Sequence, residues 1–298
     1  MKVAFTTVLD DKYFVGFLIT LNSMLDVCPK FNHDIIILEW GELSDDNKQV
    51  IRSLYSNVQF KMVEGHLYQD HVYDETWRKW TYNCNYRFDI FTLTEYDRVI
   101  FFDSDIIFEI DPNEILAHDV DFGACVGSPI QIKGREGFDA GLMSIGKKYL
   151  NKETRDELLN IANNVLPPES PNMNTTKWSS DEPILNAYFL QRMTWLPQKF
   201  NMLISKVNDV AINEKNNYQY VGHNKPWYGD VLEHQVGDFV IFNLLEIFKN
   251  DKIKVRLTLK KLISKFKKQV MSLNSKGINI NDFPSYIQPI GYKNMLNN

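Results

Sequence analysis

Cysteine is scarce, with three in 298 residues, and no Cys-x-x-Cys occurs. Cys28, Cys84 and Cys125 are odd in number and widely spaced, so they predict buried thiols in a reducing compartment rather than a disulfide framework. Long hydrophobic runs are missing too. The longest apolar stretch, FVGFLITLNSML from Phe14 to Leu25, is too short to span a membrane. The opening MKVAFTTVLDD has no signal-peptide pattern, because Asp10 and Asp11 follow too soon; the expectation is a cytoplasmic protein. There is no excess of positive charge. With 33 Lys and Arg against 38 Asp and Glu, the net charge of -5 gives no support for bulk nucleic-acid binding. No internal repeat is visible.

What is present suits a globular α/β protein of one large domain or two small ones. The chain is 44% hydrophobic and 24% charged, which is ample for a core. Aromatics at 13% lean toward a carbohydrate or nucleobase partner, although a rich core gives the same count. Basic charge is concentrated late in the chain, where Lys249–Lys268 holds nine Lys or Arg and one acid, Asp251.

Strand-like and helix-like segments alternate. Val3–Thr7, Asp34–Glu39, Val58–Val63 and Arg98–Phe102 read as strands. Tyr13 to about Val27, a segment opened by Ser44-Asp45-Asp46 with acids in its first turn, and Thr76–Glu95 read as helices. This order predicts a mostly parallel sheet with right-handed crossovers. Beyond Pro112, Phe122–Val126 and Gly141–Ile145 read as strands, and Lys147–Asn163 as a helix. A polar, Pro-rich stretch follows and ends near Ser180; it predicts a long loop or lid. Asp181–Leu190, Phe239–Lys249 and Lys252–Ser272 read as helices, and the last 25 residues as an irregular tail.

The segment RVIFFDSDIIFEIDP places Asp103 and Asp105 at the carboxyl end of its strand, where open α/β sheets bind ligands. On an extended backbone both side chains fall on one side. Two close like charges repel in a partly desolvated cleft, and a hard divalent cation carrying a phosphate-bearing ligand relieves that repulsion. Three functional classes use such a triplet. A haloacid-dehalogenase-type phosphatase wants Thr or Val where Ile107 stands, and a downstream Lys with a paired-acid motif that is not apparent here. An EF-hand fails because Phe108 occupies the position that needs glycine. The third class is a nucleotide-sugar glycosyltransferase.

Several segments in order resemble glycosyltransferase family 8, the glycogenin and bacterial galactosyl/glucosyltransferase group with the GT-A fold. They are AFTTVLDDKYFVGFLITLNSML, YRFDIFTLTEYDRVIFFDSDIIF, FDAGLMSI, SSDEPILNAYF and YVGHNKPWYGD. The resemblance spans about residues 3 to 245. It implies a Rossmann-like mixed sheet flanked by helices, with a GT-A domain over 1–250 and a basic helix and tail over 251–298. It also implies a metal-dependent retaining glycosyltransferase moving glucose or galactose from a UDP-sugar to a glycan, lipid-linked or protein acceptor. The rival readings are a non-catalytic sugar-nucleotide-binding protein and the phosphatase.

The resemblance carries roles to matching positions. Asp105 would bind Mn²⁺ or Mg²⁺, with Asp103 sharing the metal and contacting the ribose, and Ser104 lies between them. Thr6, Thr7, Leu9 and Asp10 would hold the base, with Tyr13 stacked on uracil. Lys225 would add a charge to the diphosphate, which the Gly222 backbone approaches closely. Arg87, sixteen residues before Asp103, would reach the donor sugar or a phosphate. Asp139, Ala140 and Gly141 match the sugar-binding turn. Asp181 would hold sugar hydroxyls, and Glu182 stands where the family usually has Gln. There Glu182 either hydrogen-bonds the sugar or stabilises an oxocarbenium-like state, even as a nucleophile. Gln219 stands where the family has a metal-binding His, so Gln219 or His223 is the candidate third ligand.

The segment from Lys252 to Lys268 places Ile253, Leu257, Leu259, Leu262, Ile263 and Phe266 among lysines. A basic amphipathic helix of this kind predicts either peripheral contact with the inner face of an anionic membrane or a solvated helix packed on the domain.

Overall fold

The computed structural model describes residues 1–68, 84–132, 135–164, 181–221, 225 and 237–283. In chain order its main elements are β1 (Val3–Val8), α1 (Phe14–Val27), β2 (Asp34–Glu39), α2 (Asp45–Leu54), β3 (Val58–Met62), β4 (Arg98–Phe102) and β5 (Ile106–Ile107). There follow β6 (Phe122–Ile132), β7 (Arg135–Gly146), α3 (Lys152–Asn164), α4 (Asp181–Phe189), β8 (Thr194–Trp195), β9 (Met202–Leu203), β10 (Tyr218–Gln219), α5 (Gly237–Ile247) and α6 (Lys252–Ser275). The chain divides into two interleaved compact units. The first comprises Met1–Asp10, Asn32–Phe102 and Ile115–Pro197; the second comprises Asp11–Phe31, Asp103–Glu114 and Gln198–Asn298.

The first unit carries a seven-stranded sheet in the order β3-β2-β1-β4-β7-β6-β8. β3, β2, β1 and β4 pair in parallel, and β7 is antiparallel to both β4 and β6. The sheet is therefore mixed; the parallel block β3-β2-β1-β4 is the portion predicted from the alternating pattern, and β8 adds a further parallel pairing to β6. β4 is buried at every residue, as its uninterrupted apolar run demands of a strand covered on both faces. Ser44 caps α2 by accepting from the Asn47 backbone N–H, with Asp45 and Asp46 in the first turn as read from the sequence.

The core of this unit gathers Val99, Phe101, Phe122, Phe138, Met143, Ile184, Leu185 and Phe189. Phe189 stacks on Phe122 with ring centroids 3.8 Å apart and fixes α4 against the sheet. Such a pair adds about 0.5–1.5 kcal/mol to the apolar burial.

Three local expectations change. Thr76–Glu95 was expected to be an α-helix, but its described part is a 3₁₀ helix over Cys84–Thr92; residues 76–83 lie outside the described residues. The strands β6 and β7 run 11 and 12 residues, well beyond Phe122–Val126 and Gly141–Ile145, because each pairs with the other along a hairpin. Lys147–Tyr149 forms a short 3₁₀ turn and α3 starts only at Lys152, where Thr154 N–H donates to Asn151 Oδ1. The predicted Pro-rich loop and the irregular tail beyond Phe283 lie outside the described residues.

The second unit has a small sheet, β5-β10-β9, beside α1, α5 and α6. α6 packs against α1 and α5. Asp251 caps α6 by accepting from the N–H groups of Ile253 and Lys254. Val255, Leu259, Leu262, Ile263, Phe266 and Leu273 are buried, while Ile253 and Leu257 are exposed. Four of the six apolar residues expected on one amphipathic face thus belong to the core of this unit. Cys28 and Cys125 are buried thiols, as their spacing predicts. Among the described residues no helix is long and apolar enough to cross a membrane.

Candidate functional site

The candidate residues form one group in each unit. In the second unit, Asp103, Ser104 and Asp105 follow β4. They form a turn, not the extended segment expected, with Ser104 and Asp105 at its apex before β5 begins at Ile106. Antiparallel pairing of β5 with β10 places Ile106 opposite Gln219. Tyr220 N–H then donates to the Asp105 carbonyl at 3.0 Å.

Each acid of the turn has its own partner. Gln219 Nε2 donates to Asp103 Oδ2 at 2.8 Å. Gln219 Oε1 accepts from Asn201 Nδ2 at 2.9 Å. The carbonyl expected as the third metal ligand is therefore engaged elsewhere, because a carboxylate neighbour can take only the donor end of an amide. Gln219 acts here as a clamp on Asp103. Lys225 Nζ lies 2.5 Å from Asp105 Oδ2 and also donates to the Tyr220 carbonyl. Gly222 and His223, the other residues named for this segment, lie outside the described residues.

The other oxygen of Asp105, Oδ1, is buried and has no hydrogen-bond partner among the described residues. A buried, unpartnered carboxylate oxygen is costly unless a cation or donor meets it. This fits a hard cation bound by Asp105 and Asp103 that completes its shell with ligand oxygens. Among the described residues no three His, Cys, Asp or Glu side chains form a full protein cage.

In the first unit, the candidate residues are brought together by a β-bulge. Ala124 of β6 opposes Met143 of β7, but the next residue, Cys125, opposes Asp139. The intervening residues of β7, Ala140 to Leu142, bulge and re-aim the segment, as bulges beside functional sites do. Asp139 Oδ1 accepts from Gly141 N–H at 2.8 Å inside that bulge. Arg87, on the 3₁₀ segment, donates to the Ala140 carbonyl at 3.1 Å and forms an ion pair with Asp181 Oδ2 at 2.7 Å. Its guanidinium also covers the Phe101 ring at 4.6 Å. Glu182 Oε2 accepts from Ala140 N–H at 3.3 Å. Both acids sit in the first turn of α4, where the helix dipole favours negative charge.

The first strand supplies the rest of this group. Thr6 spends its hydroxyl on the Ile36 carbonyl at 2.9 Å, which is a structural role. Thr7 Oγ1 is buried without a hydrogen-bond partner among the described residues and is the hydroxyl left for a ligand. Leu9 N–H donates to the Leu38 carbonyl, and Asp10 is buried. Tyr13, in the second unit, immediately precedes α1 and is partly exposed.

Two supporting residues were not singled out from the sequence. Asn201 orients Gln219 from 18 residues away, and no local pattern marks it. Asn186 accepts from Phe138 N–H at 2.8 Å and donates to the Phe138 carbonyl at 2.9 Å, pinning β7 next to Asp139. Its signal was available, since it is the Asn of the SSDEPILNAYF segment.

Comparison with known proteins identifies the family and the fold. The family description "Glycosyl transferase family 8" matches residues 5–230. No curated protein matches the chain in sequence. Among solved structures, an active-site glutamine-to-glutamate mutant of LgtC is 17% identical, with a TM-score of 0.61, covering 83% of this chain and 95% of that one. The galactosyltransferase LgtC in complex with donor and acceptor sugar analogs is 18% identical, with a TM-score of 0.58, covering 81% and 94%. The glycosyltransferase GlyE from Streptococcus pneumoniae is 16% identical, with a TM-score of 0.54, covering 89% of this chain and 64% of that one. At such identities the likeness shows the fold, which is the GT-A fold.

Proposed function

The chain belongs to glycosyl transferase family 8, and we propose that within this family of glycosyltransferases it moves glucose or galactose from a UDP-sugar to a hydroxyl of a glycan, lipid-linked or protein acceptor, with retention of configuration. The observation that carries the metal and diphosphate part is Asp105, whose one buried oxygen lacks a partner while the other holds Lys225.

In the reaction the bond from the anomeric carbon to the diphosphate oxygen breaks, and a bond from that carbon to the acceptor oxygen forms. The acceptor proton passes to the departing diphosphate. Asp103 and Asp105 would hold Mn²⁺ or Mg²⁺, which when bound supplies Lewis-acid neutralisation of the leaving diphosphate. Gln219 keeps Asp103 in place by its amide N–H. Lys225 supplies a point charge to the diphosphate. Thr7 and Asp10 would take the nucleoside.

Arg87, Asp139, Ala140, Gly141, Asp181 and Glu182 would take the sugar. Arg87 ties Asp181 to the β7 bulge, so the hydroxyl-binding carboxylates are positioned before the donor arrives. Glu182 is tethered to Ala140 N–H, which favours its holding the sugar and stabilising positive charge at the anomeric carbon over attack upon it.

The exposed face of α6 supports a peripheral partner. Its 24 residues contain eight Lys or Arg and no acid, in a chain of net charge -5. Ile253, Leu257 and Met271 are exposed on it, at 73%, 54% and 72%. Basic charge interleaved with outward apolar side chains suits an anionic membrane surface.

The test is Asp105→Asn. A transferase loses sugar transfer and donor hydrolysis together, by about 10²-fold or more when one such electrostatic group is removed. A sugar-nucleotide-binding protein without turnover shows no rate to lose, which would overturn the reading.

A further inference from the structure

Lys225 is 6% exposed, and its ammonium is shared between Asp105 Oδ2 and the Tyr220 carbonyl. Tyr220, which supplies that carbonyl, is itself fixed at both ends. Tyr220 N–H is bonded to the Asp105 carbonyl at 3.0 Å, and its buried phenol donates to the Leu262 carbonyl of α6 at 2.6 Å. The ammonium is thus a tethered cation on the very carboxylate that a divalent ion would use. Two cations on one carboxylate repel, and Gln219 offers the ion no further oxygen, since its amide is engaged by Asp103 and Asn201.

We propose that Lys225 changes partner during donor binding: it neutralises Asp105 until a nucleoside diphosphate arrives, then moves to the diphosphate and releases Asp105 to the metal ion. This rests on reading Asp103 and Asp105 as the diphosphate and cation site. The consequence is a coupling between two ligands. A divalent ion alone reaches Asp105 only at Oδ1, with the Lys225 charge on Oδ2 beside it, and binds weakly. A diphosphate offers Lys225 a second anion, so the ion and the nucleotide bind together more tightly than either alone, and by the same factor in both directions. A Lys without this contact would serve the diphosphate only and would leave metal affinity untouched.

The experiment measures Mn²⁺ binding by electron paramagnetic resonance, with and without UDP, in the wild type, Lys225→Met and Lys225→Arg. The removal of one close charge predicts that Lys225→Met binds Mn²⁺ alone about tenfold tighter than the wild type or better. UDP then improves its Mn²⁺ binding much less than it improves that of the wild type. Lys225→Arg, which keeps the charge, binds Mn²⁺ alone as weakly as the wild type. Circular dichroism melts verify folding, and Lys225→Gln replaces the methionine variant if that one does not fold. Equal or weaker Mn²⁺ binding by a folded, uncharged variant overturns the partner exchange while leaving the site assignment standing. Absence of Mn²⁺ binding to the wild type even with UDP overturns the site assignment, and the partner exchange with it.

Discussion

Gln219 donates its amide to Asp103 Oδ2 at 2.8 Å and cannot present its carbonyl to the same place. At the position that the resemblance assigns to a metal ligand, the side chain thus holds Asp103 by its amide N–H. Gln219→His would supply an imidazole, a better ligand than an amide for Mn²⁺. The expected outcome is Mn²⁺ affinity in the presence of UDP raised by about tenfold, equivalent to about 1.4 kcal/mol. Calorimetric titration measures it, and an unchanged affinity would show that residue 219 does not face the metal.

Arg87 and Asp181 form a largely buried ion pair, with side chains 13% and 4% exposed. Removing one partner strands the other charge. Arg87→Met is expected to cost about 3–5 kcal/mol of unfolding free energy. The double variant Arg87→Met/Asp181→Asn is expected to cost clearly less than the sum of the two single changes, because no charge is left stranded. Urea unfolding of the four proteins reads this, and strict additivity would contradict the pair.

Alkaline pH should unfold the protein through its buried and half-buried tyrosines. Burial, the hydrogen bond to Glu157 and the charge of Glu157 push Tyr188 up to about 12. Burial raises Tyr68 and Tyr96 further, with Asp89 and Asp34 adding to it. A raised folded-state pKa contributes stability that is complete below the unfolded value of about 10 and is lost as pH rises through the folded value. The Tm should stay level up to about pH 9 and fall above it. Tyr188→Phe should fall less steeply between about pH 10 and 12, because it removes one titrating phenol. Parallel melting curves for the two proteins would contradict this.

The outward face of α6 should bind anionic vesicles. Sedimentation with phosphatidylserine liposomes is expected at low salt, weakening as ionic strength rises. Changing Lys260, Lys261, Lys267 and Lys268 to Glu should abolish it. All four are exposed, so the fold should survive. Equal sedimentation of both proteins would remove the membrane from the account.

Much of the first unit was legible because its signals are local. The apolar runs of β1, β2 and β4 and the cap at Ser44 can be read from neighbouring residues alone. The acids at 103 and 105 were legible as a candidate site, although their turn geometry was not, since β5 forms only by pairing with β10 more than a hundred residues later. The bulge at Ala140–Leu142 depends on the register between β6 and β7, which no single strand specifies. The 3₁₀ conformation of Cys84–Thr92 escaped for a similar reason: Asp89 is bonded there by Glu64 N–H, the Tyr68 hydroxyl and Arg155, partners distant in sequence. Tertiary hydrogen bonds outweigh helical propensity in such a segment. In α6 the apolar pattern was right about the helix and silent about its use, because burial against α1 and contact with a lipid surface ask for the same residues.

The most direct test of the central claim is UDP release from a panel of UDP-sugars, with Mn²⁺, with Mg²⁺ and with EDTA. The account predicts release from one UDP-hexose that needs metal, stops with EDTA and is lost in Asp105→Asn. UDP release that continues unchanged in EDTA, or a protein that does not bind UDP at all, would contradict it.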